Sequence, residues 1–177
     1  MPLQYTAMKI LVFLLLFGFL SACSTIPKHP GPLVYSSSIP SVWTIEGRLS
    51  AMSNKKTEMA GFEFSQQGGY YQLTLSGPLG FGQIQIKQTE QGLLVDNKPT
   101  LLTLKQWMNL ELGWYFPVEV LESIVFKGNH NKIQDWQIST DKHQVFNGIA
   151  YPKIIRLSYS DKHIKIKLLL QEVNRLK

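Results

Sequence analysis

The chain of 177 residues holds a single cysteine, Cys23, which excludes a disulfide framework. Its four histidines, His29, His130, His143 and His163, never stand at metal-ligand spacing, and no HExxH segment occurs. They read as tether, loop or strand-surface residues. Serines are plentiful, but none lies in a GxSxG setting. No glycine-rich loop of the phosphate-cradling kind is present. Carboxylates are few, 12 against 18 Lys and Arg, and Glu111, Glu119 and Glu122 read as the solvated face of a helical stretch. An enzyme needs a constellation, and none is assembled; a hydrolase of envelope polymers is the weakest reading, and no catalytic residue, metal or cofactor is expected. Long apolar runs are scarce as well. "ILVFLLLFGFL", residues 10–20, has eleven residues, too short for a comfortable membrane span.

That run has a different use. Lys9 precedes it and small residues follow it, the pattern of an export signal over residues 1–22. Met8 is an alternative start. Leu20-Ser21-Ala22-Cys23 resembles the bacterial lipobox, in which the signal is cut before a cysteine that is then acylated. Each buried methylene contributes about 0.8 kcal/mol, so more than one acyl chain on Cys23 anchors durably. Ser24, where inner-membrane lipoproteins commonly carry Asp, points to the outer membrane. Without Lys9, 17 of the 18 basic residues remain against 12 acidic ones. Export argues against nucleic acid as the partner and leaves an acidic protein or anionic lipid heads.

Residues 23–41 hold four prolines and six serines or threonines, and read as a tether with extended character. Leu33, Val34 and Tyr35 are apolar enough to pack locally. The folded domain is expected over 42–177. "WTIEGRLSA" alternates, with Trp43, Ile45 and Leu49 on one face; "MAGFEFSQ" aligns Phe62 and Phe64; "YYQLTLS" aligns Tyr71, Leu73 and Leu75; "QIQIK" presents Ile84 and Ile86. One apolar and one wet face per strand mark an antiparallel sheet buried on one side, and short turns imply a meander. "GLLVDN" reads as a short strand ending in a turn at Asp96 to Pro99. Gly77-Pro78-Leu79-Gly80 suits a type I turn, which sets a leucine at a corner with Phe81 two residues on.

After Thr100, a plausible N-cap, the spacing becomes helical: Leu101, Leu104, Trp107 or Met108, Leu112. A second helix is expected from Pro117, with Val118, Leu121, Ile124 and Val125 as its stripe and Gly128 as its stop. Strands then return in "IQDWQIS", "HQVF", "KIIRLSYS" and "KHIKIKLLL". The fold class is mainly β (α+β): the helices must cover the apolar face of one curved sheet, over either a dry core or a cavity fit for an acyl chain.

"EGRLSA", "YYQLTLSGPLGFGQIQI", "GLLVDN", "LKQWM", "GWYFPVEVLESIVFKG" and "PKIIRLSYSDKHIKIKL" follow one another in an order that, with the lipobox, resembles the LolB family of outer-membrane lipoprotein receptors. The resemblance covers about Trp43 to Leu170. It implies an incomplete antiparallel β-barrel of about eleven strands, closed by a helical lid over an apolar cavity. It implies a monomer that takes lipoproteins from the periplasmic carrier LolA, holds their acyl chains and places them in outer-membrane phospholipid. Trp43, Ile45, Phe62, Phe64, Tyr71, Leu73, Leu75, Ile84 and Ile86 would then line the cavity. Leu104, Trp107, Met108, Leu121 and Ile124 would line the lid; family members often carry Trp where Ile124 stands. Leu79, with Pro78, Gly80 and Phe81, matches the family's membrane-inserting loop. The alternative is a structural lipoprotein with a filled core.

Overall fold

Alternation of apolar and polar residues sets the architecture. In the computed structural model, which describes residues 32–80, 82–128 and 135–175, every segment with period-two patterning is a strand. The expected signal (1–22), Cys23, His29, His130, Phe81 and the side chain of Leu79 lie outside the described residues. Six strands follow one another as a meander: β1 (Val42–Ser53), β2 (Lys56–Gln67), β3 (Tyr70–Ser76), β4 (Gln83–Thr89), β5 (Gly92–Val95) and β6 (Lys98–Thr100). Two helices intervene, α1 (Leu104–Glu111) and α2 (Leu121–Lys127), the second led in by a 3-10 turn at Val118–Val120. Three strands then complete the sheet: β7 (Trp136–Phe146), β8 (Ile149–Tyr159) and β9 (Ile164–Arg175).

The sheet is antiparallel throughout, in the order β6-β5-β4-β3-β2-β1-β9-β8-β7. It has nine strands among the described residues, where about eleven were expected, and it does not close on itself. The return of β9 to pair with β1 joins the first six strands to the last three. Register slips there between Glu46 and Gly47. Gly47 is required at that step, because a Cβ would run into the Leu169 carbonyl and meet the Phe62 ring at 3.0 Å.

Several boundaries differ from the sequence reading. The cap of α1 is Thr103 and not Thr100. Its hydroxyl accepts from the Gln106 N–H (3.3 Å), while the Gln106 side-chain oxygen accepts from the Thr103 N–H (2.9 Å), a reciprocal capping box. Leu101 therefore falls outside the helix and is fully exposed. Pro117 sits just ahead of the 3-10 turn as its cap, and α2 itself starts at Leu121. Gly128 ends α2 in the left-handed conformation (φ 65°), as the stop signal required. Lys98 and Pro99 leave the turn and enter β6; the turn is Asp96-Asn97 alone, both at positive φ. "IQDWQIS" and "HQVF" contribute to one strand, β7, interrupted only by Lys142 at positive φ.

Candidate functional site

The inner face of the sheet and the two helices enclose one apolar cluster. Trp43, Ile45, Leu73 and Ile86 are 0% exposed, and Phe62, Phe64 and Leu75 are buried beside them. Tyr71 and Ile84 are half-buried and pack against the same cluster. Leu104, Trp107, Met108, Leu121 and Ile124, expected on the covering helices, are all buried in it. Aromatic rings bind one end together: Trp43 lies 5.2 Å from Phe64 and 5.4 Å from Phe126 of α2, and Phe64 stacks on Tyr71 at 5.6 Å. The sequence reading thus brings its candidate residues into one place. In this state their side chains close on one another.

The polar atoms at the edge of the cluster are mostly paired. The Trp114 indole donates to Glu58 (3.1 Å), the Trp136 indole to the Tyr115 hydroxyl (3.3 Å), and Gln66 to Glu122 of α2 (3.2 Å). Trp43 is the exception: its indole nitrogen is buried with no partner among the described residues. Burial raises the Tyr71 hydroxyl to about 12, with a smaller push from the Glu119 carboxylate.

The sequence marks Leu33, Val34 and Tyr35 as able to pack but does not name the distant partners that hold the segment before β1. The compact unit begins at Leu33, nine residues ahead of β1. The Ser36 N–H donates to the Phe126 carbonyl of α2 (2.9 Å), and the Ala150 N–H of β8 donates to the Val34 carbonyl (2.7 Å). The Tyr35 hydroxyl and His143 Nε2 of β7 share a hydrogen bond at 2.9 Å, and Lys127 of α2 donates to the Ser37 carbonyl. Residues 33–38 are thus a strap from β7 and β8 to the end of α2. The apolar Leu33-Val34-Tyr35 was the available signal.

Between β3 and β4, Pro78–Gly80 forms a 3-10 turn in which the Gly80 N–H donates to the Gly77 carbonyl (3.0 Å). The Gly77 N–H donates to the Gly82 carbonyl (2.9 Å), which closes the base of the loop. Pro78 and Gly80 are exposed. The backbone thus takes the tight turn that the Gly-Pro-Leu-Gly sequence favours, with Leu79 at its centre.

The model of the family described as outer membrane lipoprotein LolB matches residues 41–132, from the start of β1 to beyond α2. The chain belongs to the LolB family. Among curated relatives, the outer-membrane lipoprotein LolB of Francisella tularensis subsp. tularensis is 28% identical over 150 residues, covering 73% of this chain and 72% of that one. Those of Marinomonas sp. and Pseudomonas fluorescens are each 26% identical, covering 85% and 73% of this chain and 68% and 73% of theirs. The match to the family model takes in the Gly77–Gly82 turn and both helices. Strands β7 to β9 lie beyond it and supply the other three of the nine strands described.

Proposed function

We propose that this LolB-family chain is an outer-membrane lipoprotein receptor. It is anchored by acylated Cys23, faces the periplasm, accepts lipoproteins from the carrier LolA and inserts them into the outer membrane. The observation that carries this reading is the construction of the interior. An unclosed sheet offers an apolar inner face, and short helices cover it in the connection between the two edge strands, β6 and β7. Such a cover separates from the sheet by breaking side-chain contacts, with the strand ladders left intact. Hydrocarbon needs apolar area and no hydrogen bonds, and that inner face provides it.

Each methylene exposed to water costs about 0.8 kcal/mol, so an acylated protein passes from one apolar interior to the next and then to the bilayer, which holds it best. No nucleotide or catalytic step is needed. Leu79, at the centre of the 3-10 turn, is the proposed insertion residue; a leucine transferred to an apolar phase gains roughly 1.5–3 kcal/mol. The test is transfer of an acylated lipoprotein from LolA to liposomes by wild type and Leu79→Glu. The variant is expected to accept cargo and fail to release it into lipid. Equal transfer by both overturns the role of Leu79, and a wild type that accepts nothing overturns the receptor reading.

One observation favours a second reading, a structural lipoprotein with a filled core: the candidate cavity residues are packed against one another. Titration of the protein with a fluorescent fatty acid separates the two. Saturable uptake supports the receptor, and none supports the filled core.

A further inference from the structure

The outer face of the sheet, which the acyl-chain site does not use, carries its charges in two separate zones. Across β2, β1 and β9, Glu63, Glu46 and Glu172 stand side by side in register, all exposed. Like charges placed so repel each other and are uncommon without compensation. Two residues further along β1 on the same face is Arg48, then Ser50 opposite Lys167 of β9, then Met52 opposite Lys165. Arg156 of β8 lies opposite Lys167 on its other side. The face therefore changes from acidic to basic along the strands.

The basic end is also hollowed. A groove of about 580 Å³ is lined by Arg48, Met59, Gly61, Ser76, Lys167 and Leu169, and Pro78 and Gly80 of the turn line it as well. A second hollow of about 570 Å³ shares Ser50 and Lys167 with the first and continues to Lys165 and Arg156. Small residues make the depth: Gly61 and Ser76 face each other across β2 and β3, where larger side chains would fill the floor. Met59, 68% exposed, and Leu169 give it apolar walls. Among the described residues Arg156 is paired with Asp141, at 3.5 Å, and no carboxylate pairs with Arg48, Lys165 or Lys167.

Strand direction fixes where this groove lies. Ser76, the last residue of β3, is in register with Gly61, and Gly61 with Arg48. The groove thus opens at the same end of the sheet as the Gly77–Gly82 turn, and the acidic row lies farther from it.

We propose that this groove seats the phosphate of an anionic phospholipid of the bilayer, with Arg48 and Lys167 on the phosphate and Met59 and Leu169 against the lipid's apolar part. The inference rests on the receptor reading, which sets the domain beside a membrane and assigns the neighbouring turn to it. Guanidinium and ammonium groups without carboxylate partners suit a phosphate diester, and apolar walls beside them suit the start of an acyl chain. The acidic row repels the same surface. Together the zones orient the domain with its turn toward the bilayer, and each cation near an anionic surface strengthens that orientation about fivefold.

The test uses the full acylated protein reconstituted in vesicles, with lysine acetylation read by mass spectrometry. Lys165 and Lys167 are expected to be protected severalfold in phosphatidylethanolamine vesicles containing phosphatidylglycerol, relative to vesicles of zwitterionic lipid alone. Lys98, exposed on edge strand β6, is the unprotected control. The protection should fade as salt shortens the screening length. The variant Arg48→Gln/Lys167→Gln should accept cargo from LolA normally and deliver it severalfold more slowly to anionic vesicles. Equal labelling in both vesicle types overturns the proposal. So does protection by inorganic phosphate alone, or protection that arises only when an acidic protein is added. If the wild type accepts no cargo, the receptor reading fails, while the labelling pattern still decides whether the groove binds anionic lipid.

Discussion

Gly128→Ala tests whether the strap and helix α2 act as one unit. Gly128 holds φ 65° at the end of α2, a conformation that costs an L-residue about 1–2 kcal/mol. A Cβ there would also enter the ring of Tyr35, with three ring carbons all within 2.7 Å. The ring has to move, and its movement breaks the hydrogen bond to His143, a contact of about 0.5–1.5 kcal/mol. Together the loss is about 1.5–3.5 kcal/mol in wild type. In a Tyr35→Ala background only the backbone part remains, about 1–2 kcal/mol, so the two substitutions should couple by about 0.5–1.5 kcal/mol. Urea unfolding of the four proteins of the cycle, compared at constant m value, measures this. If Gly128→Ala costs the same with and without Tyr35, to within about 0.3 kcal/mol, the strap is not seated on the end of α2 and the reasoning fails.

Two further outcomes follow from local chemistry. Thr103→Ala should cost about 1 kcal/mol through loss of the α1 cap, and Thr103→Ser should restore most of it; equal midpoints for all three proteins would remove the capping box from the account. At alkaline pH, Tyr71 and Tyr159 both stay protonated in the fold to about 12, Tyr71 chiefly through burial and Tyr159 chiefly through the hydrogen bond it donates to Asp135 (2.8 Å). A raised folded value means stability fully present below pH 10 and lost as pH climbs from 10 through 12. Tyr71→Phe should flatten part of that loss in a pH series of unfolding midpoints, and an unchanged slope would refute the assignment.

The strands of the meander were legible because one-sided burial forces period-two patterning, which β1 to β4 carry clearly, as does the first half of β9 before its Leu168-Leu169-Leu170 run. Where the pattern is brief, other signals decide. Lys98-Pro99-Thr100 is too short to show a period, and its proline argues against a strand; it pairs only because β5 presents a free edge. Thr100 and Thr103 are both capping residue types, and only the glutamine three residues after Thr103 distinguishes them. Residues 23–41 read as a tether because serine, threonine and proline dominate their composition, with Leu33, Val34 and Tyr35 apolar enough to pack locally. The attachment of the strap comes from contacts with Phe126, His143 and Ala150, far along the chain, which no local pattern encodes. The candidate cavity residues were readable as an apolar face. That they meet across the cover depends on how β9 returns to β1, a pairing outside the reach of periodicity.

The free edges β6 and β7 have a mechanical meaning. In a closed barrel, strand number and stagger fix the bore, and the bore cannot change without breaking the ladder. Here, among the described residues, no hydrogen-bonded seam joins edge strand β6 to edge strand β7. The girth of the interior is therefore a compliance, set by where the helical bridge settles, and under the proposed receptor function that compliance is what would let the interior admit acyl chains of different bulk. The same openness would invite strand addition from other chains, and both edges discourage it: β6 with its brevity and Pro99, β7 with Lys142 turned out of strand geometry.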